Sequence, residues 1–404
     1  MKKALFKLLS LILLVGLMQS CEKTFDEEIS SDQIELKSAN SSKTSYIVVL
    51  NDAELNLELS QLKGYEKKQA AVKAVSAKIL KRAGVFDGEV EHVYGTALKG
   101  FSLKIPPGQL KKLQDDPSVS FIEKDQVATL IFPDLKIKKK PVLPPDPEPD
   151  PTQEVPWGIT RVNGGGEFTG KNTAWILDSG IDLDHPDLNV DVSRSVTFVR
   201  SKSADDDNGH GSHVAGTIGA IDNEIGVVGV APNATLVAVK VLDRRGSGSY
   251  SGVIAGIDYV AANAANGDVA NMSLGGPTSD ALDAAVIAAA ESGIKFALAA
   301  GNESDDANNH SPARANHPNI YTVSAMWEGD RFATEFSNYG NPPVDYAAPG
   351  VYILSTYKNG GYETLHGTSM AAPHVAGILM WGSISSDGNV TSDPDGKADP
   401  IASH

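Results

Sequence analysis

The feature that most restricts the fold of this chain is a regular alternation, after residue 156, of short apolar segments with alanine-rich segments of helical spacing. The apolar segments show no polar–apolar alternation, and strands are predicted at residues 173–177, 235–242, 268–274, 295–300 and 321–325. Residues 250–266 and 280–292 are predicted helices. Because strands that are apolar on both faces and alternate with helices indicate a parallel sheet covered on both sides, the sequence predicts an α/β, doubly wound, mostly parallel sheet over residues 157–382.

A smaller α+β domain is predicted over residues 44–130. Its predicted elements are a strand at 46–50, a helix at 55–83, strands at 89–94 and 100–105, a short helix at 109–115 and a strand at 119–124. This βαββαβ order predicts a split, ferredoxin-like unit. The proline-dense residues 131–156 that follow predict an extended linker open to proteases.

The distribution of charge indicates which partners to expect. The formal net charge of −16 over 404 residues argues against nucleic acid and against anionic membrane surfaces. Residues 44–140 hold 16 Lys and Arg against 12 Asp and Glu, whereas residues 153–404 hold 13 against 30. Opposite charge balance predicts that the two domains dock on each other within a monomer.

The N-terminus predicts export. Lys2 and Lys3 precede an apolar run at 8–18 that is too short to span a bilayer. Residues 17–21, LMQSC, resemble a bacterial lipoprotein cleavage box, although Gln19 departs from the small residue usual there. This predicts a signal peptide at 1–20, a polar tether at 21–43 and a lipidated Cys21, so that membrane contact occurs only through the lipid; an ordinary secretory signal is the alternative. Cys21 is the only cysteine, which excludes an intramolecular disulfide.

Three side chains stand at positions suited to chemistry. Asp178 ends a predicted strand, where doubly wound sheets collect reactive groups. His210 and His213 begin a predicted helix in NGHGSHVAGT; a zinc site is the alternative, although no further ligand is evident. Ser369 begins a helix in HGTSMAAPHVAG, whose free N–H groups suit an oxyanion and in which Pro373 is expected near the first turn. Taken singly, the aspartate and the serine could be ordinary helix caps.

Four segments together resemble the subtilisin family of serine proteases, with stretches similar to proteinase K: LDSGIDLDHPDL, NGHGSHVAGT, NMSLGG and GTSMAAPHVAG. The resemblance extends from Gln153 to about residue 380. It implies that Ser369 attacks the scissile carbonyl, that His210 transfers the proton and that Asp178 orients the imidazole. His213 is then a structural partner.

The resemblance also implies how substrate binds. Asn302 in AAGNES would donate to the oxyanion together with the Ser369 N–H, an ordinary turn asparagine being the alternative. Substrate would add as an extended strand between two walls, formed by Ser273, Leu274, Gly275 and Gly276 and by Gly246, Ser247 and Gly248. His310 is expected near the pocket floor or, alternatively, in a surface loop.

A structural Ca²⁺ is the implied cofactor. DHPDL and AIDNEIGVVGV resemble the family's calcium loop, and the expected ligands are Gln153, Asp187, Ile221, Asn223, Ile225 and Val227. A plain surface loop is the alternative. A ligand at residue 153 suggests maturation cleavage shortly before it, whereas a cut near Leu130 would leave an extended arm.

The small domain resembles the family's propeptide, which acts as an intramolecular chaperone and inhibitor. The sequence therefore predicts an exported serine endopeptidase, made as an autoprocessed precursor, that hydrolyses protein or peptide substrates, either generally or at one physiological target. The alternative is a catalytically silent binding or inhibitory lipoprotein on the same scaffold. Residues 383–404 are polar where the family usually continues with helices, so a frayed tail is expected; the alternative is a weak cation site at Asp387, Asp393, Asp395 and Asp399.

Overall fold

The computed structural model describes residues 43–51, 53–130, 133 and 153–404. The predicted signal peptide, nearly all of the tether with Cys21, and most of the linker lie outside these residues. Within them, no helix is long and apolar enough to cross a membrane. Residues 43–404 form one compact unit, in which residues 43–130 are called the small domain and residues 153–404 the large domain.

The small domain is an antiparallel four-stranded sheet with helices on one face. Its elements are β1 (Thr44–Leu50), α1 (Ala53–Gln61), α2 (Tyr65–Arg82), β2 (Glu89–Tyr94), β3 (Gly100–Ile105), a 3₁₀ turn (Pro107–Gln109), α3 (Leu110–Gln114), β4 (Val119–Lys124) and β5 (Val127–Thr129). The sheet order is β2-β3-β1-β4. The single helix predicted at 55–83 is two helices, because Gly64 before α2 has a φ of +92° that no helix continues.

Strand β1 is apolar from Tyr46 to Leu50 because both faces of this part of the strand are buried. Tyr46, Val48 and Leu50 pack into the core of the small domain itself. Ile47 and Val49 belong to a different cluster, which includes residues of the large domain. Because side chains alternate between the two faces of a strand, one face of β1 packs inside the small domain and the other packs against residues of the large domain.

The large domain is built on the predicted parallel sheet, with β15 and β19 as antiparallel exceptions. Its elements are α4 (Trp157–Arg161), β6 (Thr173–Asp178), β7 (Val196–Thr197), α5 (His210–Gly219), β8 (Thr235–Lys240), β9 (Ser247–Ser249), α6 (Tyr250–Asn263), β10 (Val269–Met272), β11 (Gly276–Pro277), α7 (Asp280–Glu291), β12 (Lys295–Ala299), β13 (His310–Ser311), β14 (Ile320–Trp327), β15 (Arg331–Phe332), β16 (Val344–Pro349), β17 (Ile353–Tyr357), β18 (Gly361–Leu365), α8 (Thr368–Met380), β19 (Ser385–Asn389) and β20 (Pro400–Ser403). The central order is β19-β20-β16-β14-β12-β10-β6-β8-β7.

Helices cover both faces of this sheet, which confirms the predicted doubly wound architecture. On β6, Ala174 and Ile176 join a core with residues of α5 and α8, whereas Trp175 and Leu177 join a core with residues of α6 and α7. Strand β6 therefore ends between helices of the two layers, and its last residue, Asp178, is fully buried.

The expectation of a frayed tail is wrong. Residues 385–389 and 400–403 form β19 and β20, which extend the main sheet beyond β16. Ile401 is fully buried, and the buried carboxylate of Asp399 accepts hydrogen bonds from Ser324 Oγ (2.5 Å) and Asn341 Nδ2 (2.8 Å). Within the described part of the chain, no group of three or more His, Cys, Asp or Glu side chains is placed to hold a metal ion, so the structure gives no support to a cation site in this segment.

Candidate active site

The first part of the site is a buried aspartate–histidine pair. Asp178 is the last residue of β6, and His210 is the first residue of α5. A hydrogen bond of 2.8 Å joins His210 Nδ1 to Asp178 Oδ1, and both side chains are almost completely shielded from solvent. Gly211 allows this approach, since a Cβ there would lie 2.0 Å from Gly180 O and 3.2 Å from Asp178 Cβ.

Ser369 lies in the first turn of α8, as predicted, but Pro373 lies one turn further in than expected. Because Pro373 has no N–H, the carbonyl of Ser369 loses its helical donor. The hydroxyl of Ser273 donates to that carbonyl at 2.8 Å, and Asn271 Nδ2 donates to Ser273 Oγ at 2.9 Å. A residue predicted only as a pocket wall therefore also stabilises the backbone at Ser369.

Asn302 and Ser369 line the same small cavity. The Oδ1 of Asn302 accepts the Thr368 N–H at 2.8 Å and the Thr368 hydroxyl at 3.0 Å, which fixes the orientation of its amide. The helices that carry His210 and Ser369, α5 and α8, pack against each other. The four predicted catalytic side chains thus lie at the ends of neighbouring elements in one part of the fold.

The end of the small domain occupies the predicted substrate cleft. Strand β5 pairs antiparallel with β9, so that Ala128 faces Gly248 and Thr129 faces Ser247. The N–H of Thr129 donates to Gly275 O (3.1 Å), and the N–H of Leu130 donates to Gly246 O (2.9 Å). Both predicted walls therefore bind the backbone of one extended segment.

The cavity beside this segment holds a free volume of about 20 Å³, little more than one water molecule. Its lining includes Ser273, Leu274, Gly275 and Gly276 and also His310, which is consistent with the predicted pocket floor. Glu303 and Thr129 line the same cavity and were not found from the sequence. Nδ1 of His310 lies 3.8 Å from Glu303 Oε2, so the pocket contains an acidic group and a titratable ring.

His213 has the environment of a structural residue. It is fully buried, and its Nε2 lies 2.9 Å from Ile353 O and 3.1 Å from Glu363 O. Burial lowers the pKa of His213 to about 3, so the ring is neutral at physiological pH.

Several oxygens converge at the predicted calcium loop. The Nε2 atom of Gln153 lies 2.5 Å from Ile221 O, 3.0 Å from Ile225 O, 3.1 Å from Val227 O and 3.4 Å from Asn223 Oδ1. Oδ1 of Asp187 is buried and has no hydrogen-bond partner among the described residues, and burial raises the pKa of Asp187 to about 6. Converging oxygens and an unpaired buried carboxylate oxygen are the features that fit a hard cation.

Carboxylates and backbone N–H groups connect the two domains. Asp258 of α6 is buried and accepts the N–H groups of Gly95 (3.1 Å), Thr96 (2.6 Å) and Ala97 (2.8 Å). In the opposite direction, Asp125 Oδ1 of the small domain accepts the Ser251 N–H of α6 at 3.0 Å.

Glu123 makes the same kind of contact with α7, where its Oε2 accepts the Ala281 N–H at 3.1 Å. These contacts could not be predicted from the sequence, in which only the difference in net charge between the two domains indicated docking. The ion pairs between described residues, such as Arg82–Asp116 and Arg314–Asp283, lie within one domain or the other. Docking of the two domains therefore depends on carboxylates that accept backbone N–H groups and on apolar packing more than on opposite charge.

A parallel α/β sheet with a buried aspartate–histidine pair and a serine at a helix N-terminus is typical of α/β serine hydrolases. A model of the subtilase family matches residues 175–381, and a model of the peptidase inhibitor I9 family matches residues 45–130. The chain belongs to the subtilase family, with an inhibitor I9 domain in front of the subtilase domain, which confirms the resemblance found in the sequence.

Individual relatives support this assignment. The chain is similar to alkaline serine exoprotease A of Vibrio alginolyticus, with 42% identity over 307 residues. The match covers 73% of this chain and 54% of that protein, so this chain spans about half of that relative's length. It is also similar to the subtilisin-like serine protease AsES of Sarocladium strictum, with 41% identity over 312 residues and 74% of each chain covered. A crystal structure of a cold adapted subtilisin-like serine proteinase matches with a TM-score of 0.53 and 40% identity, covering 61% of this chain and 96% of that one.

Proposed function

We propose that this protein is a serine endopeptidase that uses Asp178, His210 and Ser369, and that it is made as a precursor inhibited by its own small domain. The observation that carries the proposal is the segment Val127–Thr129, which lies as an added strand in a cleft whose adjoining cavity contains Ser369 and Asn302. A peptide bound in this way presents its backbone to the serine.

Each catalytic side chain has a role that its surroundings support. His210 accepts the proton of the Ser369 hydroxyl and later gives it to the leaving amine, while Asp178, bonded to Nδ1, selects the tautomer and stabilises the imidazolium. In the resting structure the Ser369 hydroxyl donates to Ser273 O at 3.3 Å, a long bond that a substrate carbonyl can replace. The Ser369 N–H and Asn302 Nδ2 receive the negative charge of the tetrahedral intermediate.

The position of the small domain favours a cut near Leu130. Leu130 bonds to Gly246 on one side of Ser369, and the carbonyl oxygen of Pro133 lies 3.1 Å from His366 Nε2. Thr129, next to Leu130, lines the cavity that contains Ser369, which supports a cut close to this end of the small domain. Gln153 is seated on its loop in the same uncut chain, so that contact gives no support for cleavage before residue 153. N-terminal mass spectrometry of the processed protein distinguishes the two positions.

A Ca²⁺ ion fits the loop that contains Asp187. The carbonyls of Ile221, Ile225 and Val227 and the side chains of Gln153, Asp187 and Asn223 would hold it, with the Gln153 amide turned so that its oxygen faces the ion. The ion would fix residue 153, and hence the start of the large domain, to the 221–227 loop.

Export and lipid anchoring at Cys21 remain proposals from the sequence. Detergent partitioning of the wild type and of Cys21→Ala tests the anchor, because only the lipidated form enters the detergent phase.

Labelling with a fluorophosphonate probe tests the catalytic proposal against the silent scaffold. The probe reacts with an activated serine, so the processed protein is expected to be labelled and Ser369→Ala is not. The exposed Ser383 provides a matched control, since Ser383→Ala should label like the wild type. An unlabelled wild-type protein would favour the silent binding protein.

A further inference from the structure

Asp206 is a buried carboxylate that lies beside the aspartate–histidine pair. It is 6% exposed, and its two oxygens accept five hydrogen bonds. Oδ1 accepts from Ser179 Oγ (2.9 Å), Asn208 N (3.0 Å) and Gly209 N (2.9 Å). Oδ2 accepts from Ser212 N (2.9 Å) and Ser212 Oγ (2.7 Å). Asp206 therefore binds both the residue after Asp178 and the first turn of α5.

Ser179 connects this carboxylate to the reacting groups. Its N–H donates to Asp178 Oδ1 at 2.7 Å, the same oxygen that bonds to His210 Nδ1. Its hydroxyl donates to Asp206 and accepts the Gly211 N–H at 3.0 Å. One side chain thus joins the end of β6 to the residue that follows His210.

A buried lysine also contacts the backbone of Ser179. Lys240 is fully buried, and its Nζ bonds to Ser179 O and lies 2.7 Å from Asp207 Oδ1. Five donors around one buried carboxylate form a connected polar network that keeps its members in a fixed arrangement.

We infer that Asp206 is a positioning residue that sets the distance and angle between Asp178 and His210 by joining the end of β6 to the start of α5 through Ser179. The inference rests on the proposed use of Asp178 and His210 in catalysis. Asp206 touches neither substrate nor the reacting atoms, and its effect is transmitted through Ser179 and through the first turn of the helix. A simple helix cap would need only the Gly209 and Ser212 contacts, whereas the Ser179 contact also connects Asp206 to the residue that donates to Asp178.

The conservative variant Asp206→Asn breaks this arrangement with little change in shape. In this variant an amide nitrogen replaces one carboxylate oxygen and must face hydrogen-bond donors. These donors are either the N–H and hydroxyl of Ser212 or the Ser179 hydroxyl with the two backbone N–H groups before α5. A buried N–H without an acceptor results, and the local structure shifts to relieve it. Because a misplacement of about 1 Å costs around a hundredfold in rate, we expect kcat to fall about ten- to hundredfold while KM stays within about threefold.

The experiment compares Asp206→Asn, Ser179→Ala, the double variant and the control Asp205→Asn. The exposed carboxylate of Asp205 accepts, among the described residues, only the Leu183 N–H, at 3.2 Å. We expect the double variant to lose little more kcat than the worse single variant, and we expect the downfield NMR signal of the His210 Nδ1 proton to shift in all three but not in the control. Additive losses, or a lower melting temperature with kcat and the proton signal unchanged, would overturn the inference and leave Asp206 as a helix cap.

Two features keep the test decisive. Ser179→Ala removes a single hydroxyl, so it supplies the kcat and NMR comparison even where Asp206→Asn does not fold or mature. Fluorophosphonate labelling of the wild type is recorded alongside. A wild type that fails to label contradicts the proposed catalytic function itself, whereas a wild type that labels, with unchanged kcat in the variants, contradicts only the role of Asp206.

Discussion

The two domains bury their sheets in different ways. In the large domain, both faces of the sheet are covered by helices of that same domain. In the small domain, one face of β1 lies against α1 and α2, and the other face, with Ile47 and Val49, lies in a cluster with residues of α6. The large domain therefore has a complete core of its own, whereas the small domain needs the large one to cover half of its sheet.

Under the proposed function, this difference explains how one chain can be folded and inhibited at once. The contacts that complete the small domain also place Val127–Thr129 in the cleft, so the stability of the small domain and the blocking of the cleft depend on the same surface. If the peptide is cut, the large domain loses no part of its own core when the small domain leaves. The following predictions test this contrast, from the largest effect to the smallest.

Removing the nucleophile should separate folding from chemistry most clearly. Ser369→Ala leaves both cores intact, and we expect kcat to fall about 10⁶-fold, the size of loss known from subtilisin itself. The precursor should then accumulate uncut, with a melting curve like that of the wild-type precursor before processing. The exposed Ser383→Ala provides the control. A Ser369→Ala protein that still matures in isolation would contradict the account.

Removing the oxyanion donor should have a smaller effect in the same domain. Asn302→Ala is expected to reduce kcat about 10²- to 10³-fold with little change in KM, because the lost interaction exists mainly in the transition state; the magnitude comes from subtilisin. Steady-state kinetics on a peptide substrate measures it. Asn309→Ala, an exposed asparagine of the same loop, should behave as the wild type. An equal loss in both variants would show that the loop fold, not the amide, is responsible.

Weakening the contact between the domains should change inhibition but not catalysis. In Asp258→Asn, an amide replaces one of the oxygens that accept the N–H groups of Gly95, Thr96 and Ala97. We expect the cut small domain to bind about a hundredfold more weakly.

Activity should therefore appear sooner after processing while the final kcat is unchanged, which a time course of hydrolysis with size-exclusion chromatography of the cut fragments would show. Glu291→Gln, on the exposed end of α7, is the matched control. An unchanged delay in Asp258→Asn would contradict the importance of this contact.

Chelation should affect only the stability of the large domain. A Ca²⁺ ion present at a hundred times its dissociation constant contributes about 2.7 kcal/mol, so EDTA should lower the melting temperature by about 5–10 °C. Asp187→Asn should remove most of this response, and Asp222→Asn, an exposed residue of the 221–227 loop, should retain it. Identical melting curves with and without EDTA in the wild type would contradict the calcium proposal.

The regular parts of the fold could be predicted because their residues carry local patterns. The strands of the parallel sheet are continuous apolar runs, and the strand that ends at Asp178 was found to within one residue. The break at Gly64 was missed because a single glycine in a long helical pattern gives a weak signal. Every residue of β19 is exposed, so that strand has no apolar pattern to find, and β20 contributes only a short apolar segment around Ile401.

The candidate site divides in the same way. Asp178, His210, Ser369 and Asn302 stand in motifs that can be recognised one segment at a time. Asp206 and Asp258 could not be found like this, because their roles arise from donors on other segments: Ser179 for Asp206, and the turn that follows β2 for Asp258. Such networks become visible only when the fold brings those segments together.

The central claim is that the hydroxyl at residue 369 and the imidazole at residue 210 act as one unit. A crystal structure of the fully processed enzyme tests it most directly, through the distance from Ser369 Oγ to His210 Nε2. The account predicts hydrogen-bond reach, about 2.6–3.2 Å or slightly longer without substrate. A separation well beyond that, with the cleft empty and the Asp178–His210 bond intact, would contradict it.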